Sequence, residues 1–369
     1  MEEMTIMKNY QIPRLPLTIE LETKAILKQL NASHRQLAEL KGIVQSIPNE
    51  AILINTLALQ EAKDSSEVEN IVTSHDDLFK TELNVNDYVV SAASKEVMNY
   101  RQAIQEGFQL IRRNKLLTNN IIKQVQSTLV ENKAGFRTIP GTELKNQSGE
   151  TVYTPPQSGH DVERYMSDLE DFINTPERCD WDPLIKLAVI HHQFESIHPF
   201  YDGNGRTGRI ISILFLVAND LLNLPILYLS RYITHHKGEY YHLLQAIREC
   251  ENNEVDWQNW IMFILKGIEN TARNTINMVN SIRKLMQEFK FVLRPLLGKQ
   301  YKHDLLNHLF SQPYTKIEFM ERAMQVRRKT ATKYLDIIVE AGFLEKMKIG
   351  KYNYYMNQKL VSVLMNPGE

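Results

Sequence analysis

The chain has 369 residues, 43% hydrophobic and 24% charged, too long for one small core, and so predicts two or three domains. A formal net charge of −1 excludes a global field that would draw it to nucleic acid or membrane, so any basic surface must be local. The two cysteines, Cys179 and Cys250, lack metal-like spacing and point to a reducing compartment and buried thiols.

The opening MEEMTIMKNY has no basic segment followed by an apolar run, so it does not read as a secretory signal. No window holds about 18 uninterrupted apolar residues. The longest run, ISILFLVANDLLNLPILYL, is broken by Asn219, Asp220, Asn223 and Pro225 and reads as a buried core helix. A soluble, cytoplasmic protein without membrane contact is expected.

In chain order, QIPRLP (11–16) is an extended lead-in, and residues 17–62 show helical periodicity through Ile26, Leu27, Leu30, Leu37, Leu40, Ile43 and Val44. Residues 65–77 read as a short capped helix, with Ser66 as N-cap and Glu69 three residues on. A longer helical stretch covers 85–131. Between about 134 and 158, Gly135, Gly141 and Gly149, with Asn146, Gln147 and Ser148 between Leu144 and Val152, predict a β-hairpin stopped by Pro155-Pro156. Helices resume at 159–175 and 183–197, the latter with Asp182 as N-cap and Pro183 in the first turn. Further helices are expected near 206–222, at 238–250 and at 255–287. After residue 300 come short helices at 303–311 and 315–323, a third at 327–341, and a hairpin turning at Gly350. Three helices and a two-stranded wing form a winged helix-turn-helix pattern.

The densest chemical signal runs from His198 to Arg209, HPFYDGNGRTGR. Pro199 disfavours helical geometry at His198 and leaves its imidazole at a helix-to-loop corner. Gly203 and Gly205, flanking Asn204, allow left-handed backbone and a nest of inward N–H groups at the start of a helix, a ready anion site. Arg206 and Arg209, one turn apart, share a face beside that nest and suit a polyphosphate. Asp202 at the loop mouth is placed to hold Mg²⁺, which takes few carboxylates plus phosphate oxygens. A histidine facing phosphate can deprotonate an incoming hydroxyl near neutral pH. The parts of a phosphoryl or nucleotidyl transferase lie within twelve residues.

This stretch resembles the signature of the Fic family, H-P-F-x-D-G-N-G-R-x-G-R, without departure, and residues 90–265 resemble that family's all-helical core with its hairpin flap. The resemblance implies AMP transfer from Mg-ATP to a Ser, Thr or Tyr hydroxyl of a target protein, the chain itself included. It implies His198 as general base, Asp202 as magnesium ligand, and Gly203, Asn204 and Gly205 as the anion hole. Arg206 and Arg209 would contact the triphosphate, Thr207 and Gly208 complete the ATP-binding run, and Phe200 would anchor the loop in the core. Tyr240 and Tyr241 match a pair lining the nucleotide pocket, and Thr151, Val152 and Tyr153 match the flap that aligns a target by strand addition. Relatives that phosphorylate carry lysine where Gly205 stands, so Gly205 favours AMP transfer. Members that transfer UMP or phosphocholine share nearly the same signature. Family behaviour also implies a homodimer.

Ser65-x-x-x-Glu69-Asn70 resembles the family's inhibitory motif, whose glutamate pairs with the second signature arginine, here Arg209. Such a pair would hold ATP in an unproductive pose, and it is compatible with a capping role for Glu69. Glu195, one turn before His198, reads either as orienting that imidazole or as a solvated helix residue.

The expected architecture is all-α with a small flap: an N-terminal helical region over 1–90 with the inhibitory helix near 65–75, a catalytic core over 91–290, and the winged unit over 295–369. The winged unit carries Arg327, Arg328, Lys329, Lys333, Lys346, Lys348 and Lys351 with Tyr352, Tyr354 and Tyr355, which suits either nucleic acid or protein docking. Alternatives to a regulated AMP transferase are a transferase using another donor, an enzyme that removes AMP, and a DNA-binding regulator with the core as sensor.

Overall fold

The computed structural model describes residues 10–74, 77–78, 81, 90–146, 148–249, 253–349 and 352–365. Cys250, Gln147, Gly350 and Lys351 lie outside them, as does part of the 65–77 segment. Among the described residues the helices are α1 (Lys24–Val44), α2 (Glu50–Val68), α3 (Ala92–Asn114), α4 (Asn119–Val130), α5 (Gly159–Asn174), α6 (Pro183–Ile197), α7 (Asn204–Ala218), α8 (Ser230–His235), α9 (Lys237–Glu249) and α10 (Glu254–Leu297). The C-terminal unit adds α11 (His303–Ser311), α12 (Ile317–Met324), α13 (Arg328–Glu340) and α14 (Gln358–Met365). Strands β1 (Leu144–Lys145) and β2 (Thr151–Tyr153) pair antiparallel, Leu144 opposite Tyr153, while β3 (Tyr314–Lys316), β4 (Glu345–Ile349) and β5 (Tyr352–Met356) form an antiparallel sheet ordered β3-β5-β4. The fold is helical with small antiparallel sheets, as its composition implies. None of the described helices is long and apolar enough to cross a membrane.

Local chemistry sets most helix starts. Asp182 accepts the Leu184 N–H at 2.8 Å with Pro183 in the first turn, and Ser91 and Thr118 cap α3 and α4 in the same manner. Helix α6 has no polar face: every residue from Leu184 to Ile197 is buried, because α5, α7 and α10 pack around it. It is the axle of the core. Helix α10, 44 residues and roughly 66 Å long, carries α1 along one side and the C-terminal unit at its far end.

Three expected segments divide differently. The 17–62 periodicity breaks at Ser46–Pro48, and Asn49 caps a new helix, α2. That helix runs on to Val68, so Ser66 lies inside its last turn and Glu69 is its C-cap. The capping box at 66–69 and a helix starting there are corrected. The Glu69 N–H bonds the Ser66 carbonyl, the reverse of an N-terminal arrangement. The 85–131 stretch breaks at 115–118, where Lys115 is left-handed (φ 58°). The apolar run after residue 211 is not one helix either: α7 ends at Ala218, and 224–229 cross the core as buried, non-helical chain. Cys179 is half-buried rather than buried.

Helix α2 is anchored from below by Glu61, fully buried, whose Oε1 accepts from Tyr100 Oη (2.9 Å) and Ser230 Oγ (2.5 Å). Burial pushes this carboxyl up to about 8, against the pull of those hydrogen bonds, so it is neutral at pH 7. An unfolded glutamate loses its proton near 4.5, so the folded state holds the extra proton between roughly 5 and 8 and stability falls as pH rises through that window. Glu61→Gln is expected to flatten that fall, measured as melting temperature from pH 5 to 8.5. A variant with the parent slope would place the titration elsewhere.

Candidate active site

The loop between α6 and α7 is built by strain and bracing. Pro199 ends α6 at His198, which caps the helix in the left-handed region (φ 49°, ψ 59°) with its N–H on the Phe194 carbonyl. Phe200 is buried against Phe136 and Phe194. The Asn204 amide closes the loop on itself, donating to the Phe200 carbonyl and accepting its N–H, both at 2.8 Å. Gly203 takes φ +77°, and a Cβ there would lie 2.8 Å from Val130. Asp202 accepts the Gly203 N–H at 2.6 Å and keeps its side chain 73% exposed. The first-turn N–H groups of Asn204, Gly205 and Arg206 point out of the start of α7 with no intrahelical carbonyl to take them.

The two arginines are buried and held by different partners. Arg206 meets Glu96 at 2.6 Å and Asp202 at 3.5 Å. Arg209 donates from Nε to Ser65 Oγ (2.7 Å) and from Nη2 to both the Ser65 carbonyl and Glu69 Oε1 (each 2.9 Å). Burial favours a neutral Glu69, but the charge and hydrogen bond of Arg209, then Arg206 and His198, outweigh it and hold the carboxyl below its usual range.

Gly205 departs from the reading of its backbone. It is an ordinary helical residue, and what demands glycine is Glu69, whose Oε1 would lie 2.3 Å from an added Cβ. Glu69 thus lies against the first turn of α7. Alanine normally stabilises a helix interior by roughly 0.5–1 kcal/mol over glycine. Gly205→Ala is instead expected to displace the Glu69 carboxylate from Arg209 and destabilise the parent chain, yet stabilise the Glu69→Gly protein. Denaturant titration of the four proteins of this cycle should give a coupling of about 1 kcal/mol or more, and additivity would show that the two positions do not touch.

Burial, then the Arg248 and Arg137 charges, lower the His198 imidazole to about 4, so it is neutral and able to accept a proton at pH 7. Its Nδ1 is buried without a hydrogen-bond partner among the described residues. Glu195 is not solvated: it is buried beside Gly208 and Phe194, its Oε1 unpartnered among the described residues, and burial raises it to about 7. Thr207 is fully buried. The tyrosine pair splits. Tyr240 is in the core with its hydroxyl 2.8 Å from His191 Nε2, whereas Tyr241 is 45% exposed and packs edge-on against it. The flap forms where expected: Tyr153 is buried and donates to the Ser196 carbonyl at 2.7 Å, Val152 is exposed, and its carbonyl accepts from Gln245 at 2.9 Å.

Sequence reasoning missed Arg137, Arg248 and Glu96. Arg137 donates to the carbonyls of Ile197 and His198, and its own N–H to Pro199, placing a cation on the C-terminal carbonyls of α6. Arg248 holds Ser196 Oγ at 3.1 Å and lies over the Tyr153 ring. A single arginine far from any motif carries no signal of such a role.

Three family models match the chain: the Fic/DOC family N-terminal region over 27–109, the Fic/DOC family over 116–216, and the C-terminal domain of SoFic-like protein adenylyltransferases over 285–360. The chain is similar to the protein adenylyltransferase Fic of Aedes aegypti (27% identical over 199 residues, 49% of this chain and 37% of that protein). It is also similar to its namesake in Drosophila willistoni (30% over 134 residues, 36% of this chain and 24% of that protein). The chain thus spans less than two-fifths of the length of these relatives. Among solved structures it shares the fold of a Fic family protein from Desulfovibrio desulfuricans G20 (TM-score 0.57, 18% identical, 92% of this chain and 97% of that one). It likewise shares the fold of Fic-1, residues 134–508, from C. elegans (TM-score 0.51, 16% identical, 70% and 73%).

Proposed function

Because the chain belongs to the Fic/DOC family, we propose that it transfers AMP from ATP to a hydroxyl of a target protein and is held in check by Glu69. His198 takes the proton of the attacking hydroxyl, whose oxygen bonds to the α-phosphorus as pyrophosphate departs. The open N–H groups of α7, with Arg206 and Arg209, bind the phosphates. Asp202 suits Mg²⁺: as a single, largely exposed carboxylate it would hold the ion, which would offset polyphosphate charge. Tyr241 on α9 lies within electrostatic reach of Glu69 and Arg209, which supports its place beside the nucleotide. The exposed edge at Val152 takes the target backbone, which would replace the Gln245 amide on the Val152 carbonyl. Residues 303–365 are read as a winged helix-turn-helix, with α12 and α13 as its helix pair and β4–β5 as the wing.

The observation that supports regulation is the Glu69 carboxylate, 2.9 Å from Arg209 and against Gly205. Sitting there, it competes with a terminal phosphate for the same guanidinium and helix end. The test is mass spectrometry of the Glu69→Gly protein incubated with Mg-ATP and lysate. An AMP adduct on the chain itself or on lysate proteins is expected. No adduct with ATP, but one with UTP or CDP-choline, would overturn the donor.

A further inference from the structure

The C-terminal unit carries a charge the rest of the chain does not. Residues 303–365 hold ten Lys and Arg against six Asp and Glu, within a chain whose net charge is −1. The unit faces the core through α11 and α14, which contact α2 and α10, while α13 packs on α12. Helix α13 buries Ala331, Tyr334, Leu335 and Ile338 and turns the opposite face outward. That outward face carries Arg328, Lys329 and Lys333 together with Asp336 and Glu340.

The charges on this face are sorted along the helix. Arg327, Arg328, Lys329 and Lys333 are exposed in its first half, and among the described residues no carboxylate pairs with them. The carboxylates lie in its second half: Asp336, already taken by Lys346 of the wing at 2.8 Å, and Glu340 in the last turn. Helix α12 reaches α13 through three residues, Gln325, Val326 and Arg327, with Gln325 left-handed (φ 51°), and it adds an exposed Arg322. On β4, Lys348 is exposed.

We propose that this face binds double-stranded nucleic acid, with the first half of α13 in the major groove and Arg322 and Lys348 on the flanking phosphates. A helix about 10–12 Å across fits a groove about 12 Å wide, and helix-turn-helix readers approach bases with the N-terminal residues of the second helix. The distribution fits that pose and not a solvated surface of mixed sign: cations fill the half that would enter, carboxylates the half that would not. A neutral chain can bind this way because phosphate contacts act through local counterion release, not net charge. The inference is independent of AMP transfer.

Anisotropy of the full chain with a fluorescent mixed-sequence duplex of about 24 base pairs tests it. Each neutralised phosphate contributes roughly −0.9 to the slope of log affinity on log salt, so the six cations placed on the duplex predict a slope of up to about −5.4 and a loss of up to roughly a thousandfold between 50 and 200 mM NaCl. Arg328→Glu/Lys333→Glu, both exposed, is expected to abolish binding with an unchanged melting temperature. Three outcomes overturn the proposal: no binding at 50 mM NaCl, binding insensitive to salt or to the double substitution, or equal affinity for poly-glutamate. The last would make the face a dock for an acidic protein.

Discussion

The Glu69→Gly protein is expected to incorporate labelled AMP roughly 10- to 150-fold faster than the parent chain. A hydrogen bond to a charged group is worth about 1.5–3 kcal/mol, and that sum converts to this range of rate when the bond exists only in the inhibited state. Arg209 stays pre-positioned after the change, because Ser65 holds it through both side chain and carbonyl. A cost to folding accompanies the change, because Arg209 is buried and loses its carboxylate partner. The position of Glu69 as C-cap of α2, its charge at the negative end of the helix dipole and its side chain 34% exposed, offsets only part of it. Equal rates of the two proteins, measured where both are folded, would remove the inhibitory role of Glu69 while leaving AMP transfer itself open.

His198→Ala in the Glu69→Gly background is expected to lower AMP incorporation by roughly 10² to 10⁴, the usual contribution of a general base. ATP affinity is the control, since the proposed phosphate contacts are to α7 and the arginines rather than to the imidazole. Alanine is disfavoured at φ 49°, so His198→Asn, which tolerates left-handed backbone, separates loss of the base from strain in the loop. The pH profile gives a second check. An imidazole lowered to about 4 is unprotonated above roughly pH 5, so the base form dominates across the neutral range and is lost only as pH falls through about 4. Glu69 is one of the groups raising that value, so its removal moves the acid limb further down. An acid limb in kcat/KM at 6.5 or above would show that burial and the two arginines do not govern His198.

Both effects rest on contacts between residues far apart in the chain: 140 positions separate Glu69 from Arg209, and 61 separate Arg137 from His198. A signature of twelve residues is legible because its chemistry is local. Proline ends the helix at His198, glycine opens the turn at Gly203, and a helix start exposes its N–H groups wherever it occurs. The flap was legible for the same reason, its turn residues standing between two short extended runs.

The neighbourhood of Glu69 was harder to read. Its pairing with Arg209 follows from resemblance alone, and Ser66 and Glu69 have the spacing of a capping box although they close a helix here. Whether a helix begins or ends at such a pair depends on what packs beside it. Here the buried Glu61, Ser65 and Val68 carry α2 through to residue 68.

From its residues alone the chain determines a helical core with a hairpin, a glycine-rich turn at a helix start and a histidine beside it, because periodicity, capping and backbone freedom act over a few neighbours. Tertiary packing decides the rest. It brings Glu69 against Gly205, makes that glycine a matter of space rather than of dihedral angle, and sets two buried arginines around His198. Burial and charge reach across the fold, and no local pattern encodes which distant side chain will arrive.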